Sequence, residues 1–226
     1  MTFDETIQAL QAAGTAQTRK TYLRHGYPED TYGVSFADLK KLAKKIDTDH
    51  ALAGKLWATG NGDARMLATM VADSDEATPK ELDAWVKAVR FSGMSQMLSR
   101  YVADTEFAQE KAEQWTKSPE EFIGETGYYV LGQLCLHDEE LPDDYFERHL
   151  HTIEKSIHVA KNYTRYAMNQ AVIAIGVRNP NLTKKALAAA ARIGKVDVDH
   201  GDTACKTPDV AAYINKTLAH AARPRK

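Results

Sequence analysis

SFADLKKLAKKI, residues 35–46, is the stretch that decides the fold class of this chain. Its apolar residues recur at i, i+3, i+4 and i+7, and they are Leu39, Leu42, Ala43 and Ile46. This spacing places them on one face of an α-helix. Ser35 stands immediately before the pattern, where a hydroxyl group caps the first turn of a helix. The stretch therefore predicts an amphipathic helix that begins after Ser35.

Similar start signals recur along the whole chain. Each is a capping residue or a proline at the expected first turn. They stand at Thr2, Asp49, Asn61, Thr78-Pro79, Ser118-Pro119, Leu141-Pro142, Asn179-Pro180 and Thr207-Pro208. Strict alternation of apolar and polar residues is confined to short runs such as VDVD at 196–199, too short to build a sheet. The chain is therefore predicted to be all-α.

The number of helices and their short polar links favour a stack of antiparallel helix pairs over a simple bundle. Trp57, Trp85 and Trp115 recur at nearly even spacing, each late in or near the end of a predicted helix. They are interpreted as core spacers of degenerate two-helix repeats. The predicted fold is a curved α-solenoid, or superhelix, of antiparallel HEAT-like repeats, forming a single domain over residues 1–226.

Charge is distributed unevenly. Residues 1–154 carry 16 Lys and Arg against 27 Asp and Glu, whereas residues 155–226 carry 13 against 4. A basic C-terminal part beside an acidic N-terminal part indicates a polyanionic partner, the alternative being solvated lysines gathered by chance. No apolar run is long enough to span a bilayer, and the acidic N-terminus is unlike a secretory signal. Two cysteines without a Cys-x-x-Cys pair indicate free thiols and a cytoplasmic protein.

The segment GKVDVDHGDTACKTP, residues 194–208, concentrates residue types that bind metals and transfer protons. Read as an EF-hand loop from Asp197, it has Asp202 where a glycine is required and Pro208 where a glutamate is required. Gly194 is expected to end one helix, and Thr207-Pro208 to begin another. The segment is interpreted as a structural or partner-contacting connector, with a metal or catalytic site as the alternative. No metal or cofactor is predicted.

The stretch NYTRYAMNQAVIAIG, residues 162–176, predicts a well-buried helix with Asn169 inside it. A buried asparagine has to find hydrogen-bond partners. The polar end of the 194–208 segment is expected to supply them.

Four stretches together resemble the AlkD-like DNA alkylation repair family, whose members are related to HEAT-like repeat alkylpurine DNA glycosylases. They are YGVSFADLKKLAKKI (32–46), LWATGNGDARMLATMVAD (56–73), YAMNQAVIAIG (166–176) and IGKVDVDHGDTACKTPDVAAYI (193–214). The resemblance implies a concave basic face that holds duplex DNA. In active members an aspartate supports hydrolysis of the glycosidic bond of N3- or N7-alkylated purines without a metal, and an arginine and tryptophans line the groove.

The sequence departs from that pattern at the implied site residues. Phe91 stands where a tryptophan is expected, and Ser95 where the catalytic aspartate is expected. Glu125 or Gly124 takes the place of the arginine, and the last groove tryptophan aligns near Gln170. A serine cannot supply the negative charge that stabilises an oxocarbenium-like transition state. Weak or absent glycosylase activity is therefore predicted.

The leading interpretation is a DNA-binding protein, expected to be a monomer that binds double-stranded DNA. Candidate phosphate contacts are Lys161, Arg165, Arg178, Lys184, Lys185, Arg192, Lys195 and Lys206. One alternative is an active 3-methyladenine or 7-methylguanine glycosylase that uses a different residue set, for which Glu125, Asp199 and His200 are the candidates. Another is a HEAT-repeat scaffold for protein partners.

Overall fold

A computed structural model describes residues 1–222 and contains 13 α-helices within them. They are α1 (Phe3–Ala13), α2 (Ala16–Arg24), α3 (Phe36–Ile46), α4 (His50–Ala58), α5 (Gly62–Val71), α6 (Pro79–Lys87), α7 (Ser92–Ala103), α8 (Ala108–Trp115), α9 (Glu121–His137), α10 (Asp143–Ser156), α11 (Asn162–Arg178), α12 (Pro180–Ile193) and α13 (Val210–Ala221). The described residues form no β-strand, only an isolated bridge between Gly14 and Val34. The predicted all-α class is confirmed.

The predicted helix starts are confirmed where a side chain caps the helix. Thr2, Ser35, Asp49, Asn61, Thr78 and Asn179 each accept a hydrogen bond from a first-turn backbone N–H group. Two starts fall two residues later than predicted. Helix α9 is preceded by Glu120, and α13 is capped by Asp209 rather than Thr207. In both cases the proline precedes the helix instead of standing in its first turn.

Three helices have no predicted start. The N-cap position of α7 is Phe91, which has no side-chain oxygen, so no capping signal precedes this helix. Helix α2 is capped by Thr15, a residue that does not stand before an apolar stripe. Helix α8 is the third. Without a polar cap next to a periodic apolar pattern, the local sequence does not mark where these helices begin.

The chain packs as two compact units. The N-terminal unit contains Met1–Ala108 with Gly201–Thr203, and the C-terminal unit contains Gln109–His200 with the described residues from Ala204 onward. The single domain predicted over residues 1–226 therefore stays a prediction.

In the N-terminal unit, α5 packs against α3, α4 and α7. The indole rings of Trp57 and Trp85 stack at 4.3 Å between centroids, and Trp85 also contacts the ring of Tyr101. Trp57, Trp85 and, in the C-terminal unit, Trp115 are buried. Their predicted burial in the core is confirmed.

A buried carboxylate fixes the segment Thr31–Val34 in the N-terminal unit. Asp63, in the first turn of α5, has no exposed surface and accepts hydrogen bonds from the Thr31 hydroxyl and from the backbone N–H groups of residues 32–34, at 2.6–3.0 Å. A charge this deep is tolerated because four donors and the positive end of the helix dipole compensate it. Gly33 has a positive φ, and a Cβ atom there would lie 2.5 Å from the Arg19 backbone nitrogen.

In the C-terminal unit the helices form two rows. Helices α9, α11 and α13 pack side by side through α11, and α10 packs beside α12. Helix α11 also packs against α12, which joins the rows. The connector, defined as Gly194–Pro208, runs from the end of α12 towards α13. Gly194 has a φ of 69°, as expected for the glycine that ends a helix.

Candidate nucleic-acid interface

The first two turns of α11 hold the connector in place. Asn162 pairs with the backbone of Asp199 through two hydrogen bonds of 2.8 Å, one donated by each residue. Arg165 donates to the Asp197 carbonyl at 2.8 Å. Because residues three, four and seven apart share one helix face, these contacts and those of Tyr166 and Asn169 form a single stripe along α11.

The far end of the connector is held by a more deeply buried residue. Asn169 is 1% exposed, and its side-chain amide donates to the Pro208 carbonyl at 3.1 Å. The predicted partner for this asparagine is confirmed. His200 lies 3.0 Å from the Thr207 hydroxyl and packs edge-on against the Tyr166 ring. The connector is therefore an ordered segment attached at both ends to one helix.

The connector presents charged and reactive groups outward. Asp197, Asp199, Cys205 and Lys206 are exposed, and His200 is half-buried. A pocket of about 710 Å³ opens between the connector, α12 and the start of α13. Among the described residues, no three His, Cys, Asp or Glu side chains are grouped as metal ligands would be. The chemistry this arrangement offers is hydrogen bonding and charge.

Tyrosines lie beside the connector on α11 and α13. Burial raises the pKa of the Tyr166 phenol, and the nearby groups of Cys205, Tyr213 and Glu125 raise it further, whereas a hydrogen bond with Gln170 opposes them. Tyr213 is 48% exposed although it is a large apolar side chain. Tyr166 and Gln170, expected to be well buried, are half-buried. We define the α11–connector surface by Lys161, Asn162, Tyr166, His200, Lys206 and Tyr213.

The three candidate catalytic residues have different environments. Glu125 lies on α9 with no exposed surface, near the phenol of Tyr163. Asp199 is exposed and also influences the Tyr163 phenol, whose pKa is raised chiefly by burial and then by these carboxylates. His200 is occupied with Thr207 and Tyr166. A carboxylate that stabilises a developing charge must reach it, and the burial of Glu125 argues against this role.

The positions that depart from the family pattern are structural. Ser95 is fully buried on α7. Phe91 is buried before α7, with its ring 4.0 Å from that of Tyr27. A Cβ atom at Gly124 would lie 3.2 Å from the Thr164 side chain, because α9 and α11 approach closely there. A side chain at residue 124 would therefore require its neighbours to move by a few tenths of an ångström.

The eight candidate phosphate contacts fall into three groups. Arg165 and Arg178 donate to backbone carbonyls, Arg178 to those of Cys135 and Leu141 at the end of α9 and just before α10. Lys185, Arg192 and Lys195 pair with Glu147, Glu154 and Asp197. Lys161, Lys184 and Lys206 are exposed and have no ion-pair partner among residues 1–222. Only the last group is free to neutralise phosphates.

One amide hydrogen bond and two ion pairs join α12 to α10. Asn181, Lys185 and Arg192 contact Asp143, Glu147 and Glu154, each 38 residues earlier in the sequence. When charge is counted separately over residues 1–154 and 155–226, the acids of α10 fall in the first part and the cations of α12 in the second. Most of the positive charge of α12 is balanced within the C-terminal unit.

None of the helices in the described part of the chain is long and apolar enough to cross a membrane. Neither Cys135, which is buried, nor Cys205, which is exposed, forms a disulfide in the described part of the chain. Burial raises the pKa of the Cys135 thiol to about 12, which keeps it protonated and unreactive. Cys205 is the accessible thiol, and it lies near the Tyr166 phenol.

Comparison with known proteins finds one family over most of the chain. A family model described as DNA alkylation repair enzyme matches residues 6–207. Uncharacterized protein Lmo0209 of Listeria monocytogenes is 32% identical over 222 residues, which cover 96% of this chain and 97% of that protein. Uncharacterized protein Lin0241 of Listeria innocua is 31% identical over the same shares of both chains.

A solved structure is also similar over nearly the whole chain. It belongs to proteins described as a new family related to the HEAT-like repeat DNA glycosylases with affinity for branched DNA structures. The match has a TM-score of 0.91 and 27% sequence identity, and it covers 98% of this chain and 95% of the other. The predicted HEAT-like helical fold is confirmed by this similarity.

Proposed function

This chain belongs to the DNA alkylation repair enzyme family, and we propose that it binds DNA with a preference for branched over linear duplexes. We propose further that its alkylpurine glycosylase activity is weak or absent. The family match confirms the resemblance noted in the sequence. The branched-DNA preference is proposed from the similar solved structure, whose family has that affinity.

The arrangement of the α11–connector surface supports DNA binding. Lys161 stands at the start of α11, and Lys206 lies two residues before Pro208, whose carbonyl is bound by Asn169 two turns further along α11. Both lysines are exposed and unpaired within residues 1–222. Two free cations flanking half-exposed tyrosines supply the two contacts that unpaired or junction DNA needs, phosphate neutralisation and base stacking.

This surface is a revision of the eight-residue set predicted from charge. We retain Lys161 and Lys206 as phosphate contacts and propose Tyr166 and Tyr213 as stacking contacts. Lys184 is free but lies on α12, in the other helix row. Arg165 and Arg178 contribute to the order of the surface and of α9, because their guanidinium groups already bind carbonyl oxygens.

The binding proposal is tested by measuring affinity for a linear duplex and a four-way junction of the same length over a range of salt concentrations. The double variant that carries Lys161→Glu and Lys206→Glu is expected to bind DNA more weakly. It should also lower the slope of log affinity against log salt by about 2, one unit per lost phosphate contact. Lys155→Glu with Lys184→Glu makes the same charge change in the α10–α12 row and is the matched control. Equal losses in both double variants would remove the assignment to this surface.

The proposal of weak or absent glycosylase activity is tested by release of 7-methylguanine and 3-methyladenine from alkylated DNA. The expected result is release no faster than the spontaneous background, because Ser95 stands where the family resemblance implies the catalytic aspartate and Glu125 is buried. Release well above background would favour the alternative of an active glycosylase. Glu125→Gln and Asp199→Asn would then identify its carboxylate.

A chain that fails to bind linear and branched DNA even at low salt would favour the scaffold for protein partners. The monomeric state and the cytoplasmic location remain predictions from the sequence, and no metal or cofactor is required by the proposed function.

A further inference from the structure

Helix α2 is a basic island in the acidic part of the chain. Residues 6–28 contain no aspartate or glutamate, although residues 1–154 carry 27 acidic residues in total. Within this interval α2 holds Arg19, Lys20 and Arg24, and His25 follows it directly. This local charge is hidden when the N-terminal 154 residues are counted together.

One side of α2 attaches it to the N-terminal unit. The Tyr22 hydroxyl donates to the Val34 carbonyl at 2.8 Å, and its ring stacks on Tyr27 at 4.2 Å. Arg19 donates to the carbonyls of Glu29 and Thr31, and its guanidinium pairs with the Glu29 carboxylate. The anchoring contacts therefore come from the chain that follows α2, which Asp63 in turn holds rigid.

The other side of α2 is exposed and has no acidic partner. None of the α2 side chains is fully buried. Lys20 and Arg24 are one turn apart, exposed, and without an ion pair among residues 1–222. The nearby acids are already used, since Glu29 pairs with Arg19 and Asp30 accepts from the Asn61 amide. A shallow hollow along this side is lined by α2 residues alone: Ala16, Arg19, Lys20, Leu23 and Arg24.

We propose that the exposed side of α2 is a second binding surface for the DNA backbone, and that it takes an arm of branched DNA other than the one held by the α11–connector surface. The inference rests on the proposed function. A rigidly anchored helix with free cations and no acidic residue on its surface is complementary to a phosphate backbone. Branched DNA offers more than one duplex arm, so two separate cationic surfaces give it an advantage over a single duplex.

The test compares a double variant, which carries both Lys20→Glu and Arg24→Glu, with the unaltered protein. Binding is measured to a four-way junction and to a linear duplex of equal arm sequence. The double variant is expected to lower junction affinity on the order of tenfold and to reduce its salt slope by about 2, because two phosphate contacts are lost. Affinity for the linear duplex is expected to stay within about twofold, since that duplex occupies the other surface.

Lys80→Glu with Lys87→Glu is the matched control, because both lysines are exposed on α6 and the charge change is the same. Lys20→Gln with Arg24→Gln repeats the test without placing acidic side chains in α2, and circular dichroism confirms that each variant remains folded. Unchanged junction affinity in a folded variant would overturn the inference. Equal losses on junction and duplex would make α2 a general DNA contact and overturn the arm assignment. If the unaltered protein binds neither DNA, the proposed function itself fails.

Discussion

Two non-helical segments are each fixed by side chains of one helix, Thr31–Val34 by α5 and the connector by α11. The two segments differ in how much of their own surface stays exposed. Asp63 of α5 holds Thr31–Val34 through four hydrogen bonds to one buried carboxylate. Helix α11 holds the connector through Asn162, Arg165 and Asn169, mostly by contacts to backbone carbonyls. The first arrangement places the segment in the core, whereas the second leaves the connector's side chains at the surface.

The difference separates a structural anchor from a binding surface. A segment whose backbone is fixed while its charged side chains remain in solvent binds a partner without a large cost of ordering. A segment held by one buried carboxylate, with three of its four residues buried, offers little surface to a ligand. The two anchors should therefore respond differently to mutation, the first through stability and the second through binding.

The largest expected effect is that of Asp63→Ala on stability. The variant leaves three backbone N–H groups and one hydroxyl group without their acceptor in the core, which is expected to lower the free energy of unfolding by about 3–5 kcal/mol. Urea denaturation followed by circular dichroism measures it. Asp75→Ala, at an exposed position in the same unit, is the control and is expected to change stability by less than about 0.5 kcal/mol.

A loss below about 1 kcal/mol for Asp63→Ala would mean that water or a neighbouring group replaces the carboxylate. The contrast between the two anchors would then not hold. Asp63→Asn is a second test, since its amide keeps the shape of the carboxylate but places an NH2 donor against backbone N–H groups. Its loss in the free energy of unfolding is expected to be smaller than that of Asp63→Ala.

The next effect separates the two ends of the connector. Asn169→Ala removes a buried amide and leaves the half-buried Pro208 carbonyl without its donor, which is expected to cost about 1–3 kcal/mol of stability. Asn162→Ala removes two hydrogen bonds to Asp199 at a half-exposed position, where water replaces them, and is expected to cost about 0.5–1 kcal/mol. Both are measured in the same denaturation experiment.

The order of these two losses is the informative result. If Asn162→Ala costs more than Asn169→Ala, the connector is anchored at its exposed end, and burial does not decide the strength of the attachment. DNA affinity gives a second comparison. Asn162→Ala is expected to weaken binding by releasing the connector near Lys161, even though it changes stability less.

Most of the fold could be predicted from the sequence because its determinants are local. Ser35 and its apolar stripe identify α3, and capping residues mark five further helices correctly. Asp63 could not be identified as an anchor, because its partners lie about 30 residues earlier and no local pattern connects them. Asn169 was accessible to sequence reasoning, because a polar residue within an apolar helix must find a partner.

The candidate site was predictable only in part. The connector and Lys206 could be singled out by residue type, but the charge count could not distinguish Lys185 and Arg192, which pair with α10, from Lys161, which is free. Charge in sequence does not reveal which cations face an acid in space. Helix α2 was missed for a related reason, because the acidic residues around it obscured its own positive charge.

The smallest expected effect on stability is that of Asp199→Asn. Its side chain is exposed, so stability is expected to change by less than about 0.5 kcal/mol. DNA affinity is expected to rise by about two- to threefold, because removing a negative charge from the connector next to Asn162 and Lys161 reduces repulsion of phosphates. Fluorescence anisotropy at low salt measures the change, and Asp144→Asn, exposed on α10, is the charge-matched control.

The direction of that change discriminates between the two interpretations of the connector. A carboxylate that only borders a phosphate-binding surface opposes binding, so its neutralisation improves affinity and the gain disappears at high salt. A carboxylate that contributes to chemistry or orders the connector through its side chain would instead be needed, and Asp199→Asn would then lower binding or abolish base release. A loss of affinity in Asp199→Asn, with Asp144→Asn unchanged, would therefore return the connector to the status of a candidate active site.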